Sequence, residues 1–117
     1  MNQPEHELQK AAFRYFRLRF PHLRLNYFSV PNGSFRNLST ARKLKAEGTL
    51  AGVADTILMV PNAEYHGLAI EFKIKPRKPS PEQIEWLDNI AKHGYKTAIC
   101  YTFDEFKQTI EEYLKPI

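Results

Sequence analysis

Apolar positions recur at helical spacing near the start of the chain. Leu8, Ala11, Ala12, Tyr15 and Phe16 predict a helix over 5–20, ended by Pro21. Leu23, Leu25 and Tyr27 then alternate, with Phe28-Ser29-Val30 behind them, and predict a strand. Pro31-Asn32-Gly33-Ser34 predicts a turn or loop. A short helix is expected over 39–47, capped by Ser39 or Thr40 and stopped by Gly48. Two apolar runs, 55–60 and 67–74, read as strands, and the short segment 61–66 between them suits an antiparallel hairpin.

The second half is better signposted. Ser80-Pro81-Glu82-Gln83 carries an N-cap serine, a proline at the first helical position and a glutamine at the third. Ile84, Leu87, Ile90 and Ala91 form the apolar stripe of that helix, and Gly94 closes it. A strand over 96–102 and a helix over 103–114 follow, with Phe106, Ile110 and Leu114 inward. A strand–helix–strand unit over 67–101 crosses over right-handedly, so its strands should be parallel. The fold class is α/β, a central mixed β-sheet flanked by helices, in the order α-β-α-β-β-α-β-α.

Length and composition bound this picture. A chain of 117 residues, 43% hydrophobic and 13% aromatic, fits one domain over 1–117 with a real core. It has no apolar run of membrane-spanning length, so no membrane association is expected. The first residues lack the order of a signal peptide. The lone Cys100 rules out an internal disulfide and reads as a buried thiol. Together these predict a soluble, intracellular protein. Charge is uneven: residues 1–50 hold nine Lys/Arg against three Asp/Glu, a net +6, while 51–117 hold eight against ten, a net −2. A basic half suits a phosphate-rich partner or a solvated helix face.

The chemistry lies in two segments. Gly52-Val53-Ala54-Asp55 sets a carboxylate at the mouth of one strand. Leu68-Ala69-Ile70-Glu71-Phe72-Lys73-Ile74 sets a carboxylate and an amine inside another. Alternate strand residues share a face, so Glu71 and Lys73 project together, about 6.6 Å apart along the chain. Ile70, Phe72 and Ile74 point the other way, into the core, so the charged pair need not be buried. If the two strands pair, Asp55 lies beside Glu71. Two adjacent carboxylates repel unless a cation sits between them, and hard oxygen ligands suit Mg²⁺ or Mn²⁺. Lys73 could orient a water or stabilise developing negative charge. Alone, Glu-x-Lys is a common pattern that more often describes a solvated ion pair on an outer strand face.

The wider pattern narrows the choice. Asp, about fifteen residues, then Glu-x-Lys resembles the PD-(D/E)XK nuclease superfamily, the restriction-endonuclease-like fold. More specifically, the chain is similar to the stand-alone phage and bacterial type of the VRR-NUC family. The matching segments are Glu5-His6-Glu7-Leu8-Gln9, Pro31-Asn32-Gly33, Leu44-Lys45-Ala46-Glu47-Gly48, Ala51–Asp55, His66–Lys73, Ser80-Pro81-Glu82-Gln83 and Gly94-Tyr95. Ala54 departs from the proline in the superfamily name, which the family tolerates.

The resemblance implies Asp55 and Glu71 as metal ligands, with the backbone carbonyl of Phe72, and Lys73 as the catalytic lysine. It implies Gln83 as lining the site, although Gln83 also holds the third position of a capping box, and one side chain is expected to serve only one of these. Glu5, ahead of its neighbour Glu7, is implied to complete the acidic cluster, directly or through water. The implied activity is Mg²⁺- or Mn²⁺-dependent endonuclease cleavage of DNA, branched DNA such as Holliday junctions included. A homodimer is implied, working in the cytoplasm of a bacterium or a phage-infected cell.

Arg36, Arg42, Lys43 and Lys45 are the candidates for a DNA track, and Lys75, Arg77 and Lys78 for phosphate contacts beside the catalytic strand. Tyr27, Phe28 and Phe35 read as core. His66 is the histidine nearest the active strands. Two other readings compete: a non-catalytic DNA-binding module on a nuclease-like fold, and a small α/β RNA-binding domain with aromatics on an open sheet face.

Overall fold

The computed structural model of the chain describes residues 3–31 and 38–115. Helix α1 spans Gln3–Arg19, strand β1 Tyr27–Ser29, helix α2 Leu38–Ala46, strand β2 Thr56–Leu58 and strand β3 Leu68–Phe72. Helix α3 spans Pro81–Lys92, strand β4 Lys96–Cys100 and helix α4 Phe103–Tyr113. The element order is the expected one, with a single 3₁₀ turn added at Pro21–Leu23. Asn32-Gly33-Ser34, Phe35 and Arg36 lie outside the described residues.

The sheet order is β1-β2-β3-β4. β2 pairs antiparallel with both β1 and β3, with Thr56 opposite Ile70 and Leu58 opposite Leu68. β4 runs parallel to β3, with Glu71 opposite Ile99, as a helical crossover through α3 requires.

β3 is buried along its whole length. Leu68, Ile70 and Phe72 face the main core, built with Leu8, Ala12 and Phe16 of α1 and Phe106 and Ile110 of α4. Ala69 faces a smaller cluster with Ala54 and Leu87, flanked by Trp86 and Ile99. Helices therefore cover both faces of the central strand. That overturns the expectation that Glu71 and Lys73 face solvent: Glu71 is 1% exposed and Lys73 7%. It also removes the open sheet face that an RNA-binding reading would need on this strand.

Other expectations are corrected locally. The strand foreseen from Leu23 begins only at Tyr27. Leu23 N–H bonds Phe20 O and Asn26 N–H bonds Leu23 O, both at 2.9 Å, so the chain turns twice where alternation suggested extension. Leu25 is consequently exposed. Ser39 and Thr40 sit inside the first turn of α2, which begins one residue earlier, at Leu38. The last strand ends at Cys100. Tyr113 joins Phe106 and Ile110 as a buried residue of α4, and Leu114, just past its end, packs half-buried against the same core. Tyr27 is core, whereas Phe28 is exposed on the edge strand. His66 packs edge-on against Tyr95, away from the acidic residues.

Candidate active site

Asp55 and Glu71 are held by each other's strands. The Asp55 backbone N–H donates to Glu71 Oε1 at 3.2 Å, and the Phe72 backbone N–H donates to Asp55 Oδ2 at 2.8 Å. The antiparallel pairing of β2 and β3 brings the two together, because Asp55 immediately precedes Thr56, whose partner is Ile70. Lys73 Nζ lies 3.5 Å from Glu71 Oε2. Its backbone is fixed by the N–H bond to Cys100 O, at 3.1 Å.

Burial governs the electrostatics. It raises the Glu71 carboxyl to about 7, with the Asp55 charge adding to the rise and Lys73 opposing it. Burial likewise raises the Asp55 carboxyl above its ordinary value. The Phe72 N–H and Lys73 work against that rise, and Glu5 adds to it.

Gln83 is brought into the site by the start of α3. Ser80 caps this helix through its hydroxyl, which accepts from Gln83 N at 3.2 Å, and Gln83 Oε1 accepts from Ser80 N at 2.8 Å. The same side chain donates from Nε2 to Glu71 Oε2 at 2.5 Å. The expectation of one role or the other is thus corrected: the amide has two ends, and each serves one.

Gly52 makes this approach possible. Its φ is +89°, and a Cβ there would lie 2.4 Å from the Glu82 carbonyl oxygen. The segment leading to Asp55 therefore passes directly against the first turn of α3, at a distance open only to glycine.

Glu5 is buried on α1, 3.1 Å from Arg77 Nη1 through its Oε2. It shares a pocket of about 430 Å³ with Gln9, Asp55, Glu71, Lys73, Arg77 and Gln83. Gln9, absent from the expected site residues, closes the matching segment Glu5-His6-Glu7-Leu8-Gln9, one turn after Glu5. Its Oε1 is buried without a hydrogen-bond partner among the described residues. Glu7, the neighbouring alternative, is exposed and bonded to Gln3.

The basic candidates are spread more widely. Arg42, Lys43 and Lys45 are exposed on α2, and Lys45 lines a second pocket of about 440 Å³ together with Ser80, Glu82 and Gln83. Lys75, Arg77 and Lys78 are exposed after β3, and Lys75 Nζ sits 5.7 Å from the Tyr101 ring centroid. Among the described residues, no helix is long and apolar enough to cross a membrane.

Comparison with known proteins supplies the context for this geometry. The sequence model of the VRR-NUC domain matches residues 9–104, a span that holds Asp55, Glu71, Lys73 and Gln83 and begins after Glu5. A solved structure titled "VRR_NUC domain protein" is 26% identical with a TM-score of 0.84, over 98% of this chain and 91% of its own. A second, titled "VRR_NUC domain", is 22% identical with a TM-score of 0.59, over 96% and 99%, and shares the fold. No curated protein sequence matches the chain. The chain belongs to the VRR-NUC family, nuclease-type domains for nucleic-acid processing on a PD-(D/E)XK-like fold.

Proposed function

We propose that this protein is a divalent-metal-dependent DNA endonuclease, with Asp55, Glu71 and Lys73 as its catalytic residues. The observation that carries the reading is the interlock of Asp55 and Glu71: Glu71 accepts from the Asp55 backbone N–H and half-buried Asp55 accepts from the backbone N–H of Phe72, next to buried Glu71, with Lys73 Nζ beside them. Burying like charges together is costly unless a cation balances them.

The residues present fit such an ion. Every donor is an oxygen, the class that suits Mg²⁺ or Mn²⁺. Gln9 Oε1 is a buried acceptor that the water shell of a small ion would satisfy. Asp55, Glu71 and the Phe72 carbonyl would hold the ion. When bound, it would polarise a phosphoryl oxygen and neutralise charge during displacement.

The chain's own groups do the remaining work. In hydrolysis a water oxygen bonds to phosphorus as the P–O bond to one sugar breaks. One proton of that water finishes on the leaving oxygen. Lys73, an ammonium within reach of Glu71, holds the water and stabilises the charge growing on the phosphoryl oxygens. Gln83 keeps the Glu71 carboxylate in one orientation.

The family resemblance supports branched DNA, such as a four-way junction, as the preferred substrate. It also supports a homodimer, whose two-fold symmetry suits a two-strand substrate. The basic first half of the chain supports a phosphate-rich partner.

A cleavage panel of linear, single-stranded, flapped and four-way DNA, with Mg²⁺, Mn²⁺ or chelator, tests the reading. Light scattering in parallel reads the oligomeric state. Metal-dependent cuts should fall by about 10²–10⁴-fold or more in Asp55→Ala, Glu71→Ala and Lys73→Ala. Binding without cleavage in both metals would favour a non-catalytic DNA-binding module.

A further inference from the structure

Glu5 and Gln9 lie one turn apart on α1, and both line the pocket of Asp55 and Glu71. The Glu5 carboxylate raises the neighbouring Asp55 carboxyl through its charge, and its Oε2 lies 3.1 Å from Arg77 Nη1.

The two partners are unequally buried. The Glu5 side chain is 3% exposed and that of Arg77 51%. Exposed ion pairs contribute little because water serves both charges equally well. Here the carboxylate is out of water and depends on its cation. The guanidinium is anchored without being used up, since its planar fork carries five N–H donors. Its main chain is tied as well: Arg77 N–H bonds Ile74 O at 2.9 Å, closing a turn just beyond Lys73. Lys75, two residues earlier, packs over Tyr101 instead. Arg77 is therefore a half-exposed cation, paired with Glu5, that lines an acidic pocket an anionic chain must enter.

We propose that Glu5 and Arg77 act as one phosphate-holding unit: Arg77 binds a backbone phosphate of the nucleic acid entering the pocket, and Glu5 is the positioning residue that fixes the guanidinium. The identity of the ligand rests on the nuclease reading above. The unit itself does not require cleavage.

The test therefore reads binding. In a Lys73→Ala background with Mn²⁺, fluorescence anisotropy follows a labelled duplex and a labelled four-way junction, and calorimetry follows Mn²⁺ alone. Arg77→Ala should weaken DNA binding about tenfold and flatten the slope of log affinity against log salt by about one. Arg77→Lys, which keeps charge but loses the fork, should fall between. Glu5→Gln should weaken DNA binding while changing Mn²⁺ affinity less than tenfold. The Glu5→Gln/Arg77→Ala protein should be no worse than Arg77→Ala.

Unchanged DNA affinity in Arg77→Ala overturns the proposal. So do additive losses in the double variant, or Mn²⁺ binding tenfold weaker in Glu5→Gln. If Glu5→Gln does not fold, the exposed Arg77 variants decide alone. A wild-type protein that binds DNA but never cuts it sinks the nuclease reading and leaves this test standing.

Discussion

Gln83 Nε2 stands 2.5 Å from Glu71 Oε2 while the other end of the same amide accepts from Ser80 N at 2.8 Å. The start of α3 and the carboxylate of β3 are thus one hydrogen-bonded unit, and a change at Gln83 should register in both. Gln83→Ala removes the cap bond and the bond to Glu71, and should cost about 1–2 kcal/mol in a urea melt. Gln83→Glu keeps an acceptor for Ser80 N but sets another carboxylate against Glu71. Its cleavage rate should fall further than its stability does. Wild-type cleavage by Gln83→Glu would show that the amide does not act on Glu71.

The raised carboxyl of Glu71 gives a pH signature in chelator-treated protein. The group moves from an ordinary 4.5 in the unfolded chain to about 7 in the folded one. Over that window the folded state holds the proton more tightly. The contribution to stability is fully present below about 4.5 and is lost as pH rises through about 7. It amounts to no more than about 3 kcal/mol. Comparing wild type with Glu71→Gln from about pH 8 down to about pH 5 isolates it. Stability of the wild type relative to Glu71→Gln should rise on acidification, and a constant difference would refute the assignment.

Gly52 should tolerate no side chain. A Cβ would meet the Glu82 carbonyl oxygen at 2.4 Å, and φ at +89° is itself unfavourable for other residues. Gly52→Ala should cost about 2 kcal/mol or more. It should also slow cleavage, because relief of the clash moves the α3 turn that carries Gln83. Gly48 has a positive φ but open space around it, so Gly48→Ala should lose stability through backbone strain alone and keep its cleavage rate. Denaturation midpoints and initial rates on both variants separate the two effects.

Lys45 stands on α2 at the edge of the pocket that Ser80 and Gln83 also line. If α2 tracks the substrate backbone, Lys45→Ala should reduce the salt slope of DNA binding by about one and leave kcat unaltered. An unchanged slope would move the track away from α2.

Much of this molecule was legible in its residues. Periodicity, cap and stop residues placed the four described helices, and two apolar runs with a short link placed the β2–β3 hairpin, since these signals hold whatever lies opposite. Glu-x-Lys after an upstream Asp marked the site, because strand alternation and hairpin pairing are local rules. Where the sequence misled, either local turns or a distant partner was responsible. Leu23 and Leu25 alternate like a strand, yet consecutive turns closed over three residues leave Leu25 in water.

Glu71 and Lys73 looked like an outward face, yet α3 and the segment through Ala54 cover it. Alternation assigns a side to each residue but does not say what packs on that side. Only tertiary structure decided that Gln83 reaches Glu71, that Gly52 must leave room for Glu82, and that Glu5 meets Arg77. These contacts join residues from 12 to 72 positions apart. The sequence by itself determined the elements and the chemical groups, because these follow from spacing and residue type. Their pairing was decided by the folded chain, because burial leaves each charged or polar group few partners to choose from.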